Sequence, residues 1–159
     1  MAGKKVYPLA DPLTTEMRFA IVGNADKFRH KKHAWKVWKA LKSFRCVVYP
    51  IAPGMDRLEG SKVYDRLSAL KGKVDVAVVC LLPEENSNLI AEAVEAEVQY
   101  LWFQEQTYSE DLIRECAEKG IEVIKGCVLQ HKNYALPFGV FHPCYWHGKG
   151  SNKVKIKWS

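Results

Sequence analysis

Short apolar runs alternate with amphipathic segments along most of the chain. Branched and aromatic residues predict strands at 18–22, 46–51, 74–82, 100–104 and 121–124. Helical spacing of apolar residues predicts helices at 30–44 and 63–70, after Pro83 and after Ser109. Alternation at this spacing is typical of right-handed βαβ units. The sequence therefore predicts an α/β fold, a three-layer Rossmann-like domain whose mainly parallel sheet has five strands or slightly more.

The pattern also divides the chain. Residues 1–16 are polar and interrupted by proline, which predicts an N-terminal arm. The alternating pattern fills 17–131 and predicts one domain. After His131 the regular spacing stops, and 132–159 is an aromatic and basic extension that we expect to pack on the domain.

Composition narrows the choice of partners. The 159 residues carry a formal net charge of +6, which favours anionic partners such as nucleotides, nucleic acid or acidic membrane surfaces. Five scattered cysteines without a signal peptide predict a reducing, cytoplasmic compartment and no disulfide framework. No apolar run approaches membrane-spanning length, so we expect a soluble protein. Its oligomeric state stays open.

The turn after the first strand is the strongest candidate site. Gly23 ends the apolar run 18–22, and a short polar loop follows it. In open α/β sheets this strand-to-helix turn holds phosphate-bearing ligands, and a glycine there lets the backbone turn tightly. Basic residues crowd the predicted helix start at 27–33, where cations oppose the helix dipole. The crowding predicts a bound anion, and nucleic acid ranks lower because no recognised motif accompanies the cluster.

A dinucleotide site is the first alternative. Its fingerprint needs three glycines and an acid at the end of the second strand. Ala25 and Phe28 stand at the later glycine positions, and 50–53 contains no carboxylate. NAD is therefore disfavoured, but an NAD(P)-binding oxidoreductase stays open as an alternative, since the basic loop suits the 2′-phosphate of NADP. A protein-interaction module that uses the basic tail is the other alternative.

A spaced series of short motifs resembles a known family. Its members are Gly23, Pro50-Ile51-Ala52-Pro53, Gly60-Ser61-Lys62-Val63-Tyr64 with Leu67, Val74-Asp75-Val76, Trp102-Phe103-Gln104, and Gly126-Cys127 with His131. The series resembles the small stand-alone CoA-binding proteins and is similar to the N-terminal CoA-binding domain of the succinyl-CoA synthetase α subunit. Two departures are Ile51-Ala52-Pro53, where the family has Val-Asn-Pro, and Glu105-Gln106-Thr107, where a glycine is expected.

The resemblance covers about 17–131 and implies coenzyme A or an acyl-CoA across the carboxyl ends of the strands. The residues that we then expect at the site are Gly23, Asn24, Ala25, Asp26, Lys27, Arg29, Pro50, Ala52, Pro53, Arg57, Leu82, Pro83, Phe103 and Gln104. The first four would hold the pyrophosphate through backbone amides, and the lysine and arginines would supply charge. The prolines, Ala52 and Leu82 would contact adenine, and the last two residues would flank the pantetheine arm.

Catalysis and metal binding are not predicted. The synthetase uses a phosphorylated histidine in a further domain and a separate nucleotide-binding subunit, and neither is recognisable here. Cys127 and His131 have the chemistry of a nucleophile and its base, but no third orienting group can be named, so we favour packing. With Cys144 and His147 they form a loosely zinc-like series, which the aromatic residues between them disfavour. The sequence thus predicts a binding protein rather than an enzyme.

Overall fold

The computed structural model describes Leu9 and residues 12–131, with the side chains of 130 and 131 excepted. The strands in this part of the chain are β1 (Arg18–Val22), β2 (Val47–Ile51), β3 (Arg57–Leu58), β4 (Ser61–Lys62), β5 (Val76–Val79), β6 (Tyr100–Phe103) and β7 (Glu122–Lys125). The α-helices are α1 (Ala25–Arg29), α2 (His33–Ser43), α3 (Leu89–Glu95) and α4 (Glu110–Glu118). Short 3₁₀ turns lie at Leu67–Leu70, Pro83–Glu85 and Val128–His131. The predicted extension at 132–159 lies outside the described residues.

Five strands form one parallel sheet in the order β2-β1-β5-β6-β7. The predicted α/β Rossmann-like fold is confirmed. The chain leaves β1 for the edge strand β2 and then returns across β1 to β5, so the strand order reverses between β1 and β5. Ligands of open α/β sheets bind at the carboxyl ends of the strands beside such a reversal.

The sheet is buried on both faces, which makes three layers. Alternate side chains of the strands point to opposite faces. One face packs with α1 and α2 through Phe19, Ile21, Val76, Val78 and Trp102. The other packs with α3 and α4 through Ala20, Val22, Ala77, Val79, Leu101 and Phe103. Two-sided burial explains why the strand around Val78 is apolar almost throughout.

The prediction of a helix over 30–44 is wrong at its amino end. The structure has two helices, α1 and α2, and they are separated at Lys31, which has a φ of 53°. Lys31 and Lys32 donate their backbone N–H groups to the carbonyls of Phe28 and Lys27, which closes a turn between the helices. The apolar face of α2 packs into the core, because Ala34, Val37, Trp38 and Leu41 are all buried.

The helix predicted over 63–70 is also wrong, since only the 3₁₀ turn at Leu67–Leu70 is present. Tyr64 donates its backbone N–H to the carbonyl of Pro50 and accepts from the N–H of Ala52. The chain at Tyr64 therefore runs extended alongside the end of β2, and helical geometry cannot begin there. The residues just before it contain the β3–β4 hairpin, neither strand of which is predicted from the sequence.

An ion pair joins β1 to β5 at the amino ends of these strands. The backbone N–H of Arg18 donates to Asp75 Oδ2 over 2.8 Å, and its guanidinium contacts both carboxylate oxygens at 3.1 and 3.0 Å. These hydrogen bonds with Arg18 hold the pKa of Asp75 below its ordinary value. A carboxyl whose pKa is lowered by folding adds stability above its unfolded pKa of about 4 and loses it as the pH falls further.

Asp75→Asn is accordingly expected to destabilise the fold at pH 6, and the difference from wild type should shrink towards pH 3. Urea unfolding at both pH values measures this difference. The exposed Asp65 gives the matched control Asp65→Asn, which should change stability little at either pH. An equal cost of Asp75→Asn at both pH values would contradict the role given to the ion pair.

Candidate functional site

The carboxyl ends of the central strands meet at one edge of the sheet. Gly23 donates its N–H to Ile51 O over 3.1 Å, and Cys80 donates to Val22 O over 2.9 Å. Gln104 continues the series with a 3.2 Å hydrogen bond from its N–H to Val79 O. The residues that directly follow β1, β5 and β6 therefore lie side by side. We call the space between the ends of β1 and β5 the switch crevice.

The first loop begins α1 through a side-chain cap. Asn24 has extended backbone angles, and its Oδ1 accepts the N–H of Lys27 over 2.8 Å. The N–H groups of Ala25 and Asp26 have no partner within the helix, as at any helix start. This loop thus presents two backbone donors directly after Gly23.

Gly23 is required by packing rather than by an unusual backbone angle. Its φ lies outside the left-handed region, so the expected need for glycine at a special turn angle is wrong. A Cβ at this position would lie 2.9 Å from Phe28 Cε2 and 3.0 Å from the Cβ of Ala34. The missing side chain lets α1 and α2 approach the end of β1.

The basic cluster of the loop is partly neutralised by the protein itself. Asp26 accepts from Lys32 Nζ at 2.9 Å and pairs with His30 Nδ1 at 2.7 Å, and these contacts with Lys32 and His30 hold its pKa below the ordinary value. Because α1 begins at Ala25, Lys27 and Arg29 lie in its last turn, where cations complement the helix dipole. The inference that cations oppose a helix dipole is therefore wrong for Lys27 and Arg29, whereas Lys32 does stand at the N-cap of α2.

The charge of Lys27 acts on groups at the carboxyl ends of the strands. Burial raises the pKa of the Cys80 thiol, and the positive charge of Lys27 opposes that rise. Burial is the largest cause of the lowered pKa of His33, and the charge of Lys27 contributes to the same shift. Lys27 is half-buried, whereas Arg29 is exposed. Of the two cations of α1, Lys27 is thus the less exposed, and its charge acts on Cys80 directly after β5.

Gln104 links three elements beneath this edge. Its side chain is 1% exposed, and its Nε2 donates to Gly126 O over 3.0 Å. Its Oε1 accepts the backbone N–H of Val128 and a hydrogen bond from His33 Nε2, each over 2.9 Å. The sequence predicted Gln104 as a ligand contact, and the structure shows its side chain holding α2 and the chain after β7 together. Sequence reasoning missed His33, whose only signal was its place in the basic run.

The predicted adenine contacts lie at the ends of β2 and β5. Pro50 and Ala52 are buried, Pro53 is exposed, and Leu82 is 38% exposed immediately before Pro83 begins a 3₁₀ turn. Together they place both buried and exposed apolar groups at the edge that carries the switch crevice.

Of the other predicted site residues, Phe103 is buried in the core and Arg57 is exposed on a hairpin. Phe103 is fully buried in the core towards α3 and α4, with an edge contact to Tyr108. Arg57 is exposed in the β3–β4 hairpin, where it donates to Gly60 O over 3.2 Å. The side chain of Phe103 is therefore not at the surface, and the guanidinium of Arg57 contacts its own hairpin.

Cys127 is 5% exposed and clusters with Ala40 and Leu129. The side chain of His131, and all of Cys144 and His147, lie outside the described residues. Within the described part of the chain, no group of three or more His, Cys, Asp or Glu side chains has the arrangement of a metal site. No helix in that part is both long and apolar enough to cross a bilayer.

The sequence model of the CoA binding domain matches residues 17–132, which contain every strand described above and the whole switch crevice. The chain belongs to the CoA-binding domain family. Comparison with curated proteins gives no match. The recognition made from the spaced motifs is therefore confirmed at the level of the family.

Solved structures of this fold include a conserved hypothetical protein from Pyrococcus furiosus, which is 32% identical and has a TM-score of 0.63. The match covers 69% of this chain and 92% of that protein. A hypothetical protein from Pyrococcus horikoshii shares the fold at 22% identity and a TM-score of 0.65, covering 84% of this chain and 99% of the other.

A larger enzyme contains a similar domain. Acetyl-coenzyme A synthetase 1 of Ca. Korarchaeum cryptofilum, solved with phosphate and ADP, matches at 27% identity and a TM-score of 0.56. The match covers 67% of this chain but only 25% of the synthetase. This chain therefore corresponds to about one quarter of the synthetase, and the similarity does not extend to the rest of that enzyme.

Proposed function

We propose that the protein reversibly binds coenzyme A or an acyl-CoA at the switch crevice, without a reaction of its own. The observation that carries the proposal is the family match over 17–132, which spans this crevice. A half-buried cation at the same edge supports it, because the ligand carries several phosphate charges.

The phosphates are assigned to the first loop. The free N–H groups of Ala25 and Asp26 follow Gly23 in the loop, and the half-buried Lys27 adds a positive charge in the same helix. Arg29 and Arg57 are exposed, so we assign them to the rim, where long-range attraction rather than contact is their contribution. Hydrogen bonds to a phosphate are charge-assisted and stronger than neutral ones.

The apolar groups at this edge are the basis for assigning the adenine. We assign adenine to Pro50, Ala52, Pro53 and the Leu82–Pro83 end of β5, since an aromatic base is stabilised by apolar surface. The pantetheine arm then passes the end of β6. Because the side chains of Phe103 and Gln104 are buried, it is the backbone and not the side chains at this point that would meet the arm.

Isothermal titration with CoA, acetyl-CoA and NADPH tests the proposal. We expect heat and saturation with CoA or acetyl-CoA and none with NADPH. Binding of NADPH alone would overturn the proposal in favour of the oxidoreductase alternative. Absence of binding by all three ligands would remove the switch crevice as a nucleotide site.

Lys27→Ala is expected to weaken CoA binding by about 1–2 kcal/mol, because a charge-assisted phosphate contact is lost. Arg29→Ala is the matched control, and the exposed position of this side chain predicts a smaller loss that disappears at high salt. Titration of both variants at 50 and 500 mM salt measures the difference. Equal losses for the two variants would contradict the inner position given to Lys27.

A further inference from the structure

His33 is the first residue of α2, and no sequence motif marks it. Its ring contacts Gln104, whose backbone N–H donates to Val79 at the end of β5, so the ring lies beside the strand ends that border the switch crevice. The ring is half-buried and hydrogen-bonded through Nε2 to Gln104. The other ring nitrogen, Nδ1, is not part of this contact.

The hydrogen bonds fix which ring nitrogen carries the proton. Gln104 Oε1 accepts the backbone N–H of Val128, so this atom is the oxygen of the amide and not its nitrogen. The contact from His33 Nε2 to the same oxygen must therefore be donated by an N–H. In a neutral ring the lone pair is then on Nδ1. No described residue forms a hydrogen bond with Nδ1.

Three charged groups and one neutral amide surround His33. Lys27 faces it from α1, Lys36 from α2 itself and Glu105 from the loop after β6, while Gln104 contacts it from the end of β6. Burial and the two lysines lower the pKa of His33, and Gln104 and Glu105 oppose the change. The ring is accordingly neutral at neutral pH when no anion is present. A phosphate near Lys27 would reverse this balance, since its negative charge stabilises an imidazolium.

We propose that His33 is a binding residue of the switch crevice, and that its Nδ1 takes up a proton from solvent when a phosphate-bearing ligand occupies the space beside Lys27. The inference rests on the proposed function and deepens it, because it names a contact and a pH response of the same site. The Nε2–H bond to Gln104 persists in both states, so protonation adds a donor towards the ligand without breaking the link beneath it.

Calorimetry in buffers of different ionisation enthalpy tests this directly. CoA is titrated at pH 6.5 in two such buffers, and the difference in heat gives the number of protons taken up. His33→Gln retains an amide donor but cannot titrate, and we expect it to take up fewer protons than wild type, by up to one per ligand. Protonation of the ligand's own phosphates cancels in this comparison. His30→Gln is the matched control, because His30 is exposed and paired with Asp26, and it should behave as wild type.

The pH dependence provides a second measure. Linked uptake of one proton changes affinity about tenfold per pH unit, so wild type should gain affinity relative to His33→Gln as the pH falls from 8 to 6. If His33→Gln does not fold, ¹⁵N signals of the His33 ring in wild type, titrated with and without CoA, give the same information. Binding of CoA with equal proton uptake in both proteins, or an unchanged ring titration, would overturn the inference and leave the proposed function intact. Absence of CoA binding in wild type would overturn both.

Discussion

Gln104→Leu is expected to lower the free energy of unfolding by about 2–4 kcal/mol, because buried hydrogen-bonding groups lose their partner. The N–H of Val128 and the Nε2–H of His33 would each face an apolar side chain. The carbonyl of Gly126 would lose the hydrogen bond from Gln104 but keep the one from Trp102 Nε1 at 3.1 Å, so it would not be left unpaired. Urea unfolding followed by circular dichroism measures the change.

The matched control is Gln99→Leu, which makes the same replacement at an exposed position. We expect a change within about 0.5 kcal/mol there. If both variants lost the same stability, the cost would come from the leucine and not from the broken network. If neither lost any, Gln104 would not be the link between α2 and the chain after β7.

Gly23→Val is expected to destabilise the protein by about 3 kcal/mol, at the upper end of what overpacking costs. The new side chain would collide with the ring of Phe28 and the Cβ of Ala34, and Phe28 is too fully buried to move aside. A reduced affinity for CoA measured on this variant would therefore not by itself locate the ligand.

A second substitution separates the two effects. Phe28→Leu removes the ring atoms nearest to position 23, so Gly23→Val should cost at least about 1 kcal/mol less in the Phe28→Leu background. Urea unfolding of the four proteins of this cycle gives the coupling energy. Strictly additive costs would contradict the packing explanation. CoA titration of the double variant then reports whether a side chain at position 23 also obstructs the ligand.

The fold was predictable because strands buried on both faces leave an unbroken apolar signature, as around Val78. Positions of helix ends were less predictable. The break at Lys31 depends on a lysine in a left-handed backbone conformation, which has no sequence signal comparable to glycine. The β3–β4 hairpin has only two residues in each strand, too few for an alternating pattern.

The location of the candidate turn could be predicted from the sequence, whereas the contacts that surround it could not. Gly23 and Lys27 stand at the expected turn, since the first strand-to-helix connection is visible in the sequence. The role of Gln104 depends on Val128 and Gly126, which are 24 and 22 residues away, and on His33, which is 71 residues away. Such contacts arise only when separate elements pack, so no local pattern announces them.

The clasp between Arg18 and Asp75 and the switch crevice lie at opposite ends of the same two strands. A five-residue strand is about 17 Å long at 3.3–3.4 Å per residue, beyond the distance at which substitutions usually couple. Substitutions at one end of this strand pair can thus change stability while substitutions at the other end change ligand affinity. A protein engineer can strengthen the clasp first and use the added margin to tolerate costly changes around the crevice.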